Sequence, residues 1–223
     1  MNGHSTAGIK PGKVVATIQR LINLQFDFRG LWKWLILGGI LGILVGIAAI
    51  IFQMALEAVS MLSFKSIIGL ELEHPGGEMP NFNYPLAANA KPWLLICCPA
   101  LGAFIAGLIV FKYAPEARGH GTDAAIDAFH NKHGKIRSRV PFIKMLASII
   151  TMGTGGSGGR EGPVAQIGAG IGSYFADRLG LNARTRRLLL AAGIAAGVGA
   201  IFRAPLAGAI FAAEVLYSGP EME

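Results

Sequence analysis

Apolar positions along this chain fall into runs of two lengths. Trp34–Leu56 carries no charged residue, and Pro92–Phe111 carries none either. Each is long enough for a membrane-crossing helix, which needs about 20 apolar residues. From Met145 onward the runs are shorter: Met145–Met152, Val164–Ala176, Leu188–Phe202 and Ala204–Ala213. Each falls below the roughly 17 residues of a simple perpendicular span. Short, glycine-interrupted segments are how transporters place half-helix ends at the bilayer midplane. The pattern predicts an all-α integral membrane fold that mixes full-span and re-entrant helices. Ahead of the first span, Val14, Val15, Ile18, Leu21 and Ile22 recur at helical spacing between Lys13 and Phe28. That is an amphipathic helix lying on the membrane surface. Residues 1–30 are therefore read as a cytoplasmic segment, and residues 31–223 as the membrane domain.

Small residues repeat every fourth position at Gly38, Gly42 and Gly46, at Gly168 and Gly172, and at Gly193 and Gly197. Such stripes are expected to be close-packing faces for other helices. Trp32 and Trp34 stand where interfacial aromatic anchors belong.

Charge sets the orientation. Lys10, Lys13, Arg20, Arg29 and Lys33 flank the first span. Lys132, Lys135, Arg137, Arg139 and Lys144 read as one inner loop, and Arg178, Arg184, Arg186 and Arg187 as another. The loop Ser66–Lys91, with Glu71, Glu73, His74 and Glu78, is acidic and suits the outer side. Basic inner loops place the N-terminus in the cytoplasm, in a bacterial inner membrane. Composition agrees: mean hydropathy is +0.50, with 52% hydrophobic and 15% charged residues. The net charge of +7 lies in loops beside apolar runs, so it reports topology, not a nucleic-acid footprint. Cys97 and Cys98 are adjacent inside an apolar run and read as small packing residues. His130 and His133 lack acidic or cysteine partners nearby, so no metal site is expected.

The chain is organised around Gly153-Thr154-Gly155-Gly156-Ser157-Gly158-Gly159-Arg160-Glu161-Gly162-Pro163. Glycines permit positive φ and close backbone approach, and Pro163 suits the first turn of a helix. Such a loop delivers free N–H groups and a positive dipole end to one point, which favours an anion. Glu161 supplies an anion of the protein's own there. Other readings compete. The loop formally matches G-x-G-x-x-G, with Asp177 about 20 positions on, but lacks the strand context of a dinucleotide site. A phosphate-binding loop would need Lys-Ser or Lys-Thr after its last glycine. A plain glycine hinge between two helices also fits the spacing.

At these residues the chain resembles the CLC family of chloride channels and chloride/proton exchangers. Gly159-Arg160-Glu161-Gly162-Pro163, followed by Gln166-Ile167-Gly168, is similar to the family's G-[KR]-E-G-P signature. Ala204-Pro205-Leu206-Ala207-Gly208, through Phe211 to Glu214, resembles a later family segment. Tyr113-Ala114-Pro115-Glu116-Ala117 leads into the turn of the family's first anion-contacting motif. The resemblance implies one half of an inverted-repeat domain that carries chloride, without enzymatic activity or cofactor. It implies Glu161 as gate, and anion contacts at Gly119, His120, Gly121, Thr122, Gly159, Arg160 and Gly162. Arg160 is read either as an outer-mouth cation or as an interfacial anchor.

Two departures bear on mechanism. Where the family usually has G-S-G-I-P, this chain has Gly119-His120-Gly121-Thr122-Asp123. His120 thus stands where a serine hydroxyl would meet the anion. If its ring points into the pathway, protonation strengthens anion binding; a ring turned into the vestibule wall would not. At the inner pathway Val215 follows Glu214, where coupled exchangers carry a second glutamate. That implies channel-like behaviour. The resemblance also implies homodimers in the full-length form, and a second half that supplies further ligands from a C-terminal stretch or another polypeptide. A non-conducting half-protein is the main rival reading, and a membrane-embedded dinucleotide-binding oxidoreductase a distant one.

Irregular backbone at bilayer depth must be covered by protein or line water, because each unpaired group in lipid costs several kcal/mol. Residues 1–223 reconstituted alone in liposomes are therefore expected to give no selective anion flux as a monomer. Efflux measured beside molecular mass in detergent checks this, and robust selective flux from a proven monomer overturns it.

Overall fold

The structure is a computed structural model that describes residues 28–69, 91 and 93–217. The amphipathic helix expected over Lys13–Phe28 lies outside these residues except for Phe28, as does most of the acidic loop, with Glu71, Glu73, His74 and Glu78. The chain divides into two compact units, Met1–Leu37 and Gly38–Glu223. Of the first, only the opening of a helix is described.

All regular structure among the described residues is helical. Helix α1 spans Phe28–Met61 and runs into a π-helical stretch, Leu62–Ile68, that ends on left-handed Gly69. Helix α2 is Leu94–Tyr113, followed by a short 3-10 turn, Pro115–Ala117. Then come α3, Thr122–His130; α4, Arg139–Gly153; α5, Glu161–Arg178; α6, Ala183–Ile201; and α7, Pro205–Tyr217. The first expected span falls inside α1 and the second, from Leu94 to Phe111, inside α2; both helices are long and apolar enough to cross a membrane.

The shorter runs grow when seen as helices. Helix α5 has 18 residues and α6 has 19, about 27 and 28 Å at 1.5 Å per residue. Helical backbone continues past the apolar stretch into charged ends: Glu161 and Arg178 in α5, and Arg184, Arg186 and Arg187 in α6. Helix α7 stays short at 13 residues. Two other expectations change. Lys144 does not belong to a basic loop, because α4 already begins at Arg139 and Lys144 is buried within it. Neither Thr122 nor Asp123 caps α3; the N-cap position is Gly121, and no side-chain cap bond forms there.

Helix α5 is the central post of the second unit, buried without a break from Gly162 to Gly170. One side, at Ala165 and Ala169, packs on Leu190, Ile194 and Val198 of α6. Another, at Val164 and Ile167, packs on Phe52 and Leu56 of α1 and on Ile149 of α4. Helix α2 packs separately on α4 through Ala106 and Val110. In lipid, apolar contact alone does not drive helices together, so close packing must. The α5–α6 crossing provides it. A Cβ on Gly168 would strike the Gly193 carbonyl, and one on Gly193 would strike the Gly168 carbonyl. Gly172 and Gly197 are similarly tight, against Leu189 and Val164.

The stripe in α1 behaves differently. Nothing among the described residues lies within 4 Å of a Cβ placed on Gly38, Gly42 or Gly46, so these residues are not a packing face for any described element. The inward stripe of α1 is Leu41, Val45, Ala49, Phe52 and Leu56, at spacings of three and four. Ile43, Ile47, Ile50 and Ile51 are exposed on the outer side, as lipid contact requires.

These two glycine environments make opposite demands on an added methyl. Gly193→Ala is expected to destabilise by about 1–3 kcal/mol, as overpacking does. Gly42→Ala is expected to be neutral or stabilising by up to about 1 kcal/mol, the helix-propensity difference. Thermal unfolding midpoints in detergent check both, and equal shifts would contradict the crossing.

Candidate functional site: two loops meeting at a helix start

The loop into α5 is built glycine by glycine, each with a different job. Helix α4 ends at Gly153, with Thr154 folded back so that its Oγ1 donates to the Ile150 carbonyl at 2.8 Å. Gly155 is the one residue of the loop with positive φ, +104°, and a Cβ there would meet the Phe64 ring. The Gly156 N–H closes the turn onto the Thr151 carbonyl at 2.8 Å. Arg160 then takes the N-cap position of α5 without a side-chain cap bond. The first bond of the helix is Val164 N–H to the Arg160 carbonyl, 3.2 Å. Pro163 has no N–H. So Glu161 and Gly162 are the helical residues whose N–H groups have no acceptor inside the helix.

The second loop leaves α2 through Pro115–Ala117 and turns on two glycines with positive φ, Gly119 at +70° and Gly121 at +114°. Helix α3 opens at Thr122, with Asp123 exposed in its first turn, where a carboxylate complements the helix dipole.

The two loops touch backbone to backbone. A Cβ on Gly121 would sit 2.7 Å from the Gly162 carbonyl oxygen. A Cβ on Gly162 would strike the His120 carbonyl and come within 2.7 Å of the His120 ring. Only glycine at both positions allows this approach. The His120 ring therefore lies on Gly162, with Nε2 4.0 Å from Glu161 Oε1. The two side chains are 48% and 39% exposed. The Glu161 carboxylate folds back over Gly159, where any Cβ would collide with it. Arg160 turns aside, and its Nη1 donates to Gln53 Oε1 of α1 at 3.3 Å.

Gly119, His120, Gly121, Gly159, Glu161 and Gly162 thus gather at the start of α5, with Thr122 half-buried beside them. Arg160 is tied to α1. Glu214 and Val215 stand on a different element, α7, where Glu214 is exposed.

Three polar residues support the cluster that sequence reasoning gave no role there. Gln53 holds Arg160. Lys144 of α4, 4% exposed, donates to the Gly119 carbonyl at 2.6 Å and to the Ala117 carbonyl at 3.2 Å. Gln166 of α5, 1% exposed, donates through Nε2 to the Glu116 carbonyl at 2.9 Å. The signal available for Lys144 was a lone charge just before an apolar run, since ionisable residues inside membrane helices are rarely idle. The Glu116 side chain faces outward and pairs with Arg137 at 2.6 Å. Partial desolvation pushes its carboxyl up. Its backbone hydrogen bond and the Arg137 hydrogen bond outweigh that, with the charges of Arg137 and Lys132, and hold it below the ordinary value.

A profile of the voltage gated chloride channel family matches residues 102–223, more than half of the chain and all of both loops. The chain belongs to that family, the CLC family. Its fold resembles that of a slow cyanobacterial Cl-/H+ antiporter solved by X-ray crystallography, with a TM-score of 0.63 and 22% sequence identity. The match covers 82% of this chain and 40% of the antiporter chain. This chain therefore spans a good deal less than the length of that CLC structure, and it shares the fold of an all-helical CLC membrane domain.

Proposed function

We propose that this chain forms one half of a CLC anion pathway, with chloride as its natural substrate and Glu161 as its gate. The observation that carries the reading is the Glu161 carboxylate folded over the open start of α5, beside the only two N–H groups of its first turn that lack a helical acceptor. Ionised, it fills the place an anion would take. Protonated or swung away, it leaves Glu161 and Gly162 N–H groups, with the Gly119–Thr122 loop, to meet chloride. Backbone dipoles bind an anion weakly enough to release it. A helix end contributes about 0.3–1 kcal/mol, and up to ~2 when partly buried.

The pathway is channel-like in this reading, because Val215 follows Glu214 where a coupled exchanger would carry a second glutamate. The remaining ligands come from a second half, either further along the same polypeptide or on another chain. The full-length form is a homodimer in a bacterial inner membrane. No enzyme chemistry or cofactor enters.

His120 belongs to the gate. Histidine is the side chain that titrates nearest neutral pH. Once charged, the ring pairs with the Glu161 carboxylate it faces and holds the gate shut, so it acts on the gate before it acts on the anion. Of the other cations nearby, Arg160 is directed toward α1 by Gln53, and Lys144 is buried against the Ala117 and Gly119 carbonyls.

In a complete pathway Glu161→Gln should raise chloride efflux from liposomes at neutral pH by up to about thirtyfold, the ceiling set by a ~2 kcal/mol helix-end interaction. It should also flatten the pH dependence. Unchanged, still pH-dependent flux removes Glu161 as gate. His120→Ser should raise flux under mildly acidic conditions by up to about fivefold, since an ion pair this exposed is worth roughly 0.2–1 kcal/mol. Superimposable pH–flux curves for wild type and His120→Ser remove the ring from the gate. Proton uptake driven by a chloride gradient at fixed stoichiometry would refute the channel-like reading.

A further inference from the structure

The structure assigns Lys144 and Gln166 as a two-point clamp that sets the position of the Gly119–Thr122 loop against α5, and through it the discrimination between anions. The assignment rests on the anion-pathway reading above for its link to selectivity, but the clamp itself stands on geometry. The Gly121–Gly162 backbone contact holds one end of the loop. Gly119 and His120 are exposed, and both of its glycines occupy positive φ. Two side chains from two different helices reach it from behind. Lys144, on α4, grips the Ala117 and Gly119 carbonyls. Gln166, on α5, grips the Glu116 carbonyl. Three carbonyls within four residues are thereby fixed to the pair of helices that also frame the glycine loop.

The two grips differ in chemistry. Lys144 is a buried ammonium whose partners are carbonyl oxygens, with no carboxylate paired to it among the described residues. A buried cation needs a counter-charge, and carbonyl dipoles provide only part of one. An anion on the far side of the loop completes it. Lys144 thus draws an anion to the loop without touching it. Gln166 is neutral, and its Oε1 is buried without a donor among the described residues. That oxygen lies close to Gly121: a Cβ there would approach it to 3.1 Å, against 2.7 Å for the Gly162 carbonyl. The loop therefore rests on α5 at two points, the Gly162 carbonyl and the Gln166 side chain. Both residues are positioning residues; neither faces the pathway itself.

The test uses the full-length protein, with Lys144→Met, Lys144→Arg and Gln166→Met. Methionine matches glutamine in length, is one atom shorter than lysine and removes the polar atoms of each, so Gln166→Met also removes the orphaned oxygen and should fold. Amide hydrogen exchange at Ala117, Arg118 and Ala125, whose N–H groups donate to the Ala114, Pro115 and Gly121 carbonyls, reads the loop directly. It should speed up at least tenfold in both methionine variants and stay near wild type in Lys144→Arg. In liposomes the chloride-over-thiocyanate flux ratio should fall about tenfold in both methionine variants, a 1.4 kcal/mol loss of discrimination, and recover in Lys144→Arg. Wild-type loop exchange in a folded Gln166→Met protein overturns the clamp, whatever the protein transports. Faster exchange with unchanged selectivity overturns the link to anion choice. Absence of anion flux from the wild type, with the exchange result intact, overturns the pathway reading and leaves the clamp standing. Should Lys144→Met fail to fold, Gln166→Met decides the matter alone.

Discussion

The contact between the backbones of Gly121 and Gly162 is the constraint on which the rest of the site depends. Two chain segments approach so closely that neither has room for a methyl group. The approach brings His120 onto the start of α5 and fixes its distance to Glu161. It also explains why each loop ends abruptly in a helix: a helix start is the one place where N–H groups remain uncommitted, and here two such starts converge. The surrounding packing serves that convergence. Helix α5 is enclosed along its first half by α1, α4 and α6, so its N-terminus cannot drift from the loop it meets.

Much of this was legible in the residue pattern, and the parts that were not share one cause. The two spans, the glycine loop and the helix opening at Glu161 follow from run length and glycine placement, which are local properties. The crossing at Gly168 and Gly193 was visible as small residues four apart, and it is a true close contact. The same spacing at Gly38, Gly42 and Gly46 meets no described neighbour. Spacing marks a face, while only the tertiary arrangement says whether a neighbour covers it. Lys144 was misplaced for a related reason. Counted among basic residues it looks like loop, yet α4 starts five residues before it, and it donates to carbonyls contributed from far along the chain. Gln166 was visible within the signature, but its role depends on a carbonyl fifty residues away.

The loop glycines illustrate how little a composition count says about conformation. Six glycines suggested broad use of positive φ, but within the loop only Gly155 adopts it. Gly153, Gly156 and Gly162 are required for space, against Val59, the Thr151 carbonyl and His120, whereas a Cβ on Gly159 would meet only the movable end of the Glu161 side chain. Three of the six are therefore fixed by crowding, each against a different element, and Gly155 by its positive φ beside the Phe64 ring. A glycine-rich hinge would be loose; this stretch is crowded.

The glycine crossing between α5 and α6 has a kinetic consequence. With each helix resting on the other's carbonyl, sliding or rotating α5 would force backbone into backbone, and packed interfaces of this kind shift between discrete arrangements instead of deforming smoothly. Under the gate proposed for Glu161, the moving part is then one side chain pivoting on a stationary helix. Side-chain rotamer changes take picoseconds to nanoseconds, whereas collective helix and domain motions take microseconds to milliseconds. The elementary opening event is therefore faster than any rearrangement of the helices around it, and slow changes in conductance belong to protonation, to the His120 partnership or to the second half of the pathway.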